Sequence, residues 1–301
     1  MNLDINALAA SIEDAYFGLD EELATLDRAN YVIIQAPYAA TVSYGGGTEA
    51  GPEAIMRASQ QVEFYDDELD AEPILSAGVY TTSPLPCDCD GEEINKRIYE
   101  VARQAVALGK TPALIGGEHT VSYGNVKACW EKHENLSILH FDAHSDLRDS
   151  YAGQKWNHAT AAARFNELCP IVQCGIRSRE TRQADESGLS KKHPVWCYPA
   201  FKYRKGGDWY EEAVGHLSEN VYITIDVDGF DPSVMPGTGT PEPGGLDWWT
   251  VVDLIHKTCR ERNVVGFDIV EVAPLEGTQQ TEFAAAKLLA KLINYTTVYR
   301  K

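Results

Sequence analysis

The sequence lacks a basic stripe. Its 26 lysines and arginines are outnumbered by 45 aspartates and glutamates over 301 residues, a formal charge of −19. That balance argues against nucleic acid as a partner. No apolar run approaches membrane-spanning length, which argues against a membrane protein. The start, Met1-Asn2-Leu3-Asp4, lacks the basic-then-apolar signature of a leader, so the expected place is the cytoplasm. The seven cysteines are odd in number and irregular in spacing, and Cys87 and Cys89 have no second pair to complete a zinc knuckle. They read as free thiols in a reducing compartment. Internal repeats, low-complexity tracts and linkers are also missing, so one domain over residues 1–301 is expected.

What is present is an ordinary globular balance, with 44% apolar and 24% charged residues. The acidic excess reads first as solubility or a salty habitat. It would also mildly attract cationic small molecules.

Short apolar runs alternate with helix-like segments. The strand candidates are Tyr31 to Gln35, Pro112 to Ile115, Leu136 to Phe141, Ile171 to Arg177, Val221 to Ile225 and Val264 to Val270. Between them, Gly91 to Leu108 carries Ile94, Ile98, Val101 and Ala105 at helical spacing, with Gly109 as a stop. Pro52 suits the first turn of another helix. Trp248 to Arg262 and Glu282 to Ile293 read as helices, and Asp4 to Leu26 as an acidic amphipathic helix. This alternation predicts an α/β fold: a three-layer α-β-α arrangement with a central, mostly parallel sheet. In such sheets ligands bind beyond the carboxyl ends of the strands.

Candidate ligands gather at those ends. His119 follows one run, Asp142, His144 and Asp146 a second, Asp226 and Asp228 a third, and Glu271 a fourth. Asp142, His144 and Asp146 share one side if the chain stays extended, or curl over the strand end if it does not. Each piece alone has a plainer explanation, since an Asp-x-Asp most often marks a turn and a His after two glycines most often a loop. Their recurrence at three strand ends favours metal. Four aspartates and two histidines are too many for one transition-metal ion and suit a pair sharing carboxylates. A carboxylate-rich set without cysteine favours manganese over zinc or copper, with magnesium, nickel and iron left open. Two ions about 3.5–4 Å apart share and polarise a water near neutral pH.

Four stretches together resemble the ureohydrolase family, the arginases and agmatinases. They are Gly116-Gly117-Glu118-His119, Phe141-Asp142-Ala143-His144-Ser145-Asp146, Asp226-Val227-Asp228-Gly229-Phe230-Asp231-Pro232 and Pro236-Gly237-Thr238-Gly239-Thr240-Pro241. Order and spacing agree, and the likeness runs from about Gly47-Thr48 to the last helix. It implies an arginase-like fold and two manganese ions per chain. His119, Asp142, Asp146 and Asp226 would hold one ion, and Asp142, His144, Asp226 and Asp228 the other, with Asp142 and Asp226 bridging. Glu271 matches the carboxylate that pairs with a guanidinium, and His158 the histidine that moves protons. Asp146 would act in catalysis with them, and Thr240 would help line the substrate. The family has Gly where this chain has Ala159, which puts the loop shape in question. A homo-oligomer, trimer or hexamer, is implied as well.

Two other classes share features. Histone-deacetylase-like enzymes have this general architecture with one zinc, but here His119 and Asp146, which a second metal needs, are kept. A non-catalytic binding module on the same scaffold would be expected to have lost ligands, and all six are present.

The substrate is the last expectation. Arginases hold the arginine carboxylate with a Ser-Gly-Asn-Leu-His-Gly pattern before the shuttle histidine. The matching stretch here, Tyr151-Ala152-Gly153-Gln154-Lys155-Trp156-Asn157-His158, does not carry it. The loop Pro241-Glu242-Pro243-Gly244-Gly245 looks like the agmatinase version and adds a carboxylate. Agmatine, giving putrescine and urea as in polyamine biosynthesis, is therefore expected. Aminopropylagmatine, guanidinobutyrate, guanidine and arginine are the alternatives, and Lys155 is the residue that could favour a carboxylate tail.

Overall fold

The computed structural model describes residues 3–179, 192–205 and 207–301. Met1 and Asn2, where the leader was sought, lie outside them. Eight strands form one sheet: β1 (Tyr31–Ala36), β2 (Val79–Thr81), β3 (Thr111–Gly116), β4 (Leu136–Phe141), β5 (Ile171–Cys174), β6 (Val195–Tyr198), β7 (Asn220–Asp226) and β8 (Asn263–Val270). Their order is β2-β1-β3-β8-β7-β4-β5-β6, and every neighbouring pair is parallel. The expected mostly parallel sheet is thus wholly parallel among the described residues.

Among the described residues eight α-helices accompany it: α1 (Gly51–Ser59), α2 (Pro73–Ala77), α3 (Gly91–Ala107), α4 (Ser122–Lys132), α5 (Ala161–Asn166), α6 (Trp209–His216), α7 (Trp248–Glu261) and α8 (Gln280–Val298). Strand alternation sends successive side chains to opposite faces. In β1, Tyr31 and Ile33 enter one core with Ile55, Val251, Leu288 and Leu292, from α1, α7 and α8. Val32 and Ile34 enter the other with Ile94, Ile98 and Val101, from α3. Under β4 the second face continues through Ile138, Val126 and Phe165, from α4 and α5. Both faces of the inner strands are buried, which is why those strands read as continuous apolar runs.

Local chemistry sets the helix ends. Asp90 caps α3 by accepting from the Glu93 N–H, and Gly109 follows its end with φ 74°. Asp247 caps α7 through the Thr250 N–H.

Two expectations need correction, and two strands were missed. Asp4 to Leu26 is not one helix but four short 3₁₀ turns, Ile5–Leu8, Ile12–Asp14, Tyr16–Gly18 and Glu21–Leu23. Phe17 is left-handed at φ 68°, and the Tyr16 and Phe17 N–H groups donate to Thr81 Oγ1 and Ser59 Oγ instead of to a preceding turn. Tertiary partners there outweigh an amphipathic pattern. The run from Ile171 to Arg177 is, as expected, a strand that ends in a turn: it stops at Cys174, where Gly175 turns the chain with φ 101°. The last helix is longer than expected, running from Gln280 to Val298. β2 and β6, the two edge strands of three and four residues, were not anticipated. Among the described residues no helix is long and apolar enough to cross a membrane.

Candidate metal and substrate site

The sheet order places the candidate ligands side by side. β3, β8, β7 and β4 are consecutive in the sheet, and their carboxyl ends carry His119, Glu271, Asp226 with Asp228, and Asp142 with His144 and Asp146. After β4 the chain does not stay extended. It curls, with Asp146 left-handed at φ 49°. His119, Asp142, Asp146, Asp226 and Asp228 are all buried, and His144 is partly exposed.

Two imidazoles divide the carboxylates between them. His119 Nδ1 faces Asp142 Oδ2 at 3.3 Å, Asp146 Oδ2 at 3.4 Å and Asp226 Oδ2 at 3.5 Å. His144 Nδ1 faces Asp228 Oδ2 at 2.9 Å and the other Asp142 oxygen, Oδ1, at 3.6 Å. Asp142 therefore offers one oxygen to each side. Asp228 is aimed by the Ala143 N–H at 2.9 Å, and Asp226 accepts from the Asp228 N–H at 2.9 Å.

The donor set fits a divalent cation. His119 Nε2 lies 3.0 Å from Thr224 Oγ1, and that hydroxyl donates to Asp268 Oδ1 at 2.7 Å. Having given its proton away, Thr224 can only accept from the ring, so Nε2 carries the hydrogen and Nδ1 the lone pair. That Nδ1 is buried without a hydrogen-bond partner and points at three carboxylate oxygens. Such a lone pair facing anions is relieved by a positive charge between them, a metal ion or a proton on the ring. Without one, burial disfavours charge on the ring, but the Asp142, Asp146 and Asp226 carboxylates outweigh it and push the His119 pKa well above its ordinary value. Burial and the Asp228 and Asp142 charges drive the Asp226 carboxyl well up. Asp146 is raised by burial and by Asp142. Burial also works against ionised Asp142, yet His119, His140 and His144 hold it well below the carboxylate range. Crowded acids of this kind are relieved by metal.

Sequence reading missed the residues behind the ligands. His140 Nε2 meets Asp142 Oδ2 at 2.8 Å, and Gln173 holds the other ring nitrogen at 3.1 Å. Asp268 is buried inside β8, where it also accepts from Tyr222 at 2.8 Å. The available signal was polar residues in apolar strands: His140 lies two before Asp142 on the same strand face, and Asp268 sits mid-run. Arg177 clamps the loop after β7 by donating to the Asp228 carbonyl at 2.6 Å and the Glu242 carbonyl at 2.6 Å.

Above the ligands lies a cavity of ≈ 150 Å³. Glu271, His158 and Thr240 line it, as does Ala159. Glu271 is left-handed at φ 65°, and Glu271 Oε1 accepts from the His119 N–H at 2.7 Å. Burial, with Glu118 nearby, pushes its carboxyl up to about 8. Thr240 donates to Asp228 Oδ2 at 3.1 Å. Ala159 is not left-handed and donates to Asn157 Oδ1 at 3.0 Å, so alanine fits this loop. Lys155 and Glu242 are not among the lining residues. Lys155 pairs with Glu167 at 3.3 Å instead. Arg148, stacked 4.8 Å over Tyr151, and Arg179 do line the cavity, and neither had been singled out.

The Arginase family matches residues 29–294. The N(1)-aminopropylagmatine ureohydrolase of Synechocystis sp. is 36% identical over 284 residues, covering 91% of this chain and 92% of that protein. The agmatinase of Pyrococcus horikoshii is 35% identical over 286 residues, covering 92% of this chain and 96% of that one. Among solved structures, the agmatine ureohydrolase of Thermoplasma volcanium superposes with a TM-score of 0.81 at 33% identity, covering 91% and 92% of the two chains. With the sheet order, the ligand cluster and matches of this extent in agreement, the chain belongs to the arginase family of ureohydrolases.

Proposed function

We propose that this chain hydrolyses the guanidino group of agmatine, giving urea and putrescine, with two manganese ions per chain. What supports this most is the convergence of four buried aspartates, His119 and His144 at the base of a cavity walled by Glu271. His119, Asp142, Asp146 and Asp226 would hold one ion, and Asp142, His144, Asp226 and Asp228 the other. When bound, a pair of such ions would lower the pKa of a water and so supply a nucleophile near neutral pH for a resonance-stabilised carbon.

The chain's own groups do the rest. Glu271 accepts two hydrogen bonds from the planar cation and sets its carbon over the ligand cluster. Asp146 takes a proton from the attacking water and passes it to the departing amine. A C–O bond forms and a C–N bond breaks; the amine leaves neutral and then takes the proton that the hydroxyl of the forming urea gives up, so guanidinium and water become urea and an ammonium ion. His158, on the cavity wall, exchanges protons with solvent. Thr240 steadies Asp228 and borders the substrate. The enzyme is cytoplasmic and a homo-oligomer, trimer or hexamer, in this reading.

Agmatine is favoured over arginine because the loop before His158 lacks the arginine-type carboxylate donors, and Lys155 is engaged by Glu167. Two observations favour other tails. A relative of similar identity is named N(1)-aminopropylagmatine ureohydrolase. Arg148 and Arg179 on the wall would suit a carboxylate, as in guanidinobutyrate. Urea release from agmatine, aminopropylagmatine, guanidinobutyrate, guanidine and arginine, compared by kcat/KM on the manganese-loaded enzyme, tests the assignment. Agmatine is expected first. Arginine or guanidinobutyrate ahead of it would overturn the substrate and leave the reaction class standing.

A further inference from the structure

His158 is not held by the metal cluster but by a separate chain of hydrogen bonds. The Glu118 carboxylate, fully buried, accepts from the Thr41 N–H at 2.6 Å, from the Thr41 hydroxyl at 2.6 Å and from the Thr120 hydroxyl at 2.6 Å. Thr41 Oγ1 in turn stands 3.1 Å from the His158 N–H and 3.2 Å from His158 Nδ1. A hydroxyl has one hydrogen and two lone pairs. The hydrogen goes to Glu118 and one lone pair takes the His158 backbone N–H. The other can only accept, so Nδ1 must be the protonated ring nitrogen. Nε2 is left with its lone pair on the cavity side, 3.2 Å from Ser43 Oγ, and both His158 and Ser43 line the cavity.

We propose that Glu118, acting through Thr41, is the positioning group that locks His158 in the Nδ1–H tautomer and so makes Nε2 the atom that picks up and releases protons. This rests on the reading of His158 as the proton carrier. The arrangement has the logic of a carboxylate that orients a catalytic imidazole, with a threonine hydroxyl inserted between them. When Nε2 gains a proton, Nδ1 keeps its own, and the buried carboxylate one hydroxyl away stabilises the resulting cation. The donor direction also explains why an acid is used next to His119. An amide at position 118 would donate to Thr41 Oγ1, free the threonine hydrogen for Nδ1 and push the ring proton to Nε2. Thr41 comes from the loop after β1 and Glu118 from the end of β3, so the proton carrier is tied to two neighbouring strands.

The test compares Thr41→Val, Thr41→Ser, Glu118→Gln and His158→Ala in the manganese-loaded full chain. Thr41→Val is expected to lower kcat about 10- to 100-fold, part of what acid–base catalysis contributes, with KM within about 2-fold and bound metal unchanged. Thr41→Ser keeps the hydroxyl and should stay within about 3-fold of the wild type. Nitrogen-15 spectra of the magnesium-loaded chain supply a readout independent of turnover. His158 should show a protonated Nδ1 in the wild type and a protonated Nε2 in Glu118→Gln. A wild-type kcat in Thr41→Val beside an impaired His158→Ala would overturn the relay and spare the proton carrier. A fully active His158→Ala would overturn both. Loss of metal in Thr41→Val, or failure of serine to rescue, would make the contact merely structural and also overturn the proposal.

Discussion

His119 Nε2 and the Thr224 hydroxyl meet at 3.0 Å, and that contact puts the ring hydrogen on Nε2 and leaves the Nδ1 lone pair toward Asp142, Asp146 and Asp226. Thr224 donates its own hydrogen bond to Asp268, so the tautomer of His119 is set from inside the sheet. Thr224→Val keeps the shape and removes the link. Metal affinity should fall about 10- to 100-fold, as for lost partners of other ligating histidines, with circular dichroism unchanged. Unaltered affinity by isothermal titration calorimetry would show that Thr224 does not govern the ligand.

Asp226→Asn removes a charge that the reading shares between both ions. Bound metal and nearly all urea release should disappear while the far-ultraviolet dichroism stays native. Wild-type turnover in this variant would end the two-ion assignment.

Glu271→Gln retains an oxygen for the His119 N–H but loses the charge that, in the proposed function, would meet the guanidinium. A charge-assisted hydrogen bond contributes on the order of 1.5–3 kcal/mol, so kcat/KM for agmatine should fall by about 10- to 150-fold. Bound metal should not change. Steady-state kinetics beside metal analysis separates this from a ligand defect.

Metal-free protein should lose stability as pH rises from about 6.5 to about 8. Burial, with Glu118 nearby, pushes the Glu271 carboxyl up to about 8, and neighbouring carboxylates raise His119 and His144 as well. In that window the folded chain holds protons that the unfolded chain has released. Stability therefore falls with rising pH. His133 and His256 are lowered and act oppositely, but only below the ordinary histidine range. Metal replaces those protons, so the loaded protein should show a flatter profile. Thermal melts at several pH values, with and without manganese, measure the difference. Equal slopes would contradict the crowding of charge at the cluster.

Much of the site was legible because its parts sit at strand ends. Asp142, Asp226, His119 and Glu271 each follow an apolar run, and strand ends of a parallel sheet converge on one side. That β3, β8, β7 and β4 are neighbours was not legible, since strand order depends on crossovers that leave no local pattern. The supporting residues were hidden for a related reason. Thr41 and Glu118 are 77 residues apart, and nothing near either one announces the other. Asp268 and His140 look like blemishes in apolar strands until Thr224 and Asp142 are placed against them. The N-terminal segment misled because its acidic, amphipathic composition fits a helix, whereas Thr81 and Ser59 capture its backbone from elsewhere in the fold.

The most direct measurement is a titration of manganese into the metal-free chain, with bound metal and urea release from agmatine read on the same samples. The account predicts binding that saturates at two ions per chain, and turnover that rises with the second. Full turnover at one ion per chain, or saturation at one, would contradict it.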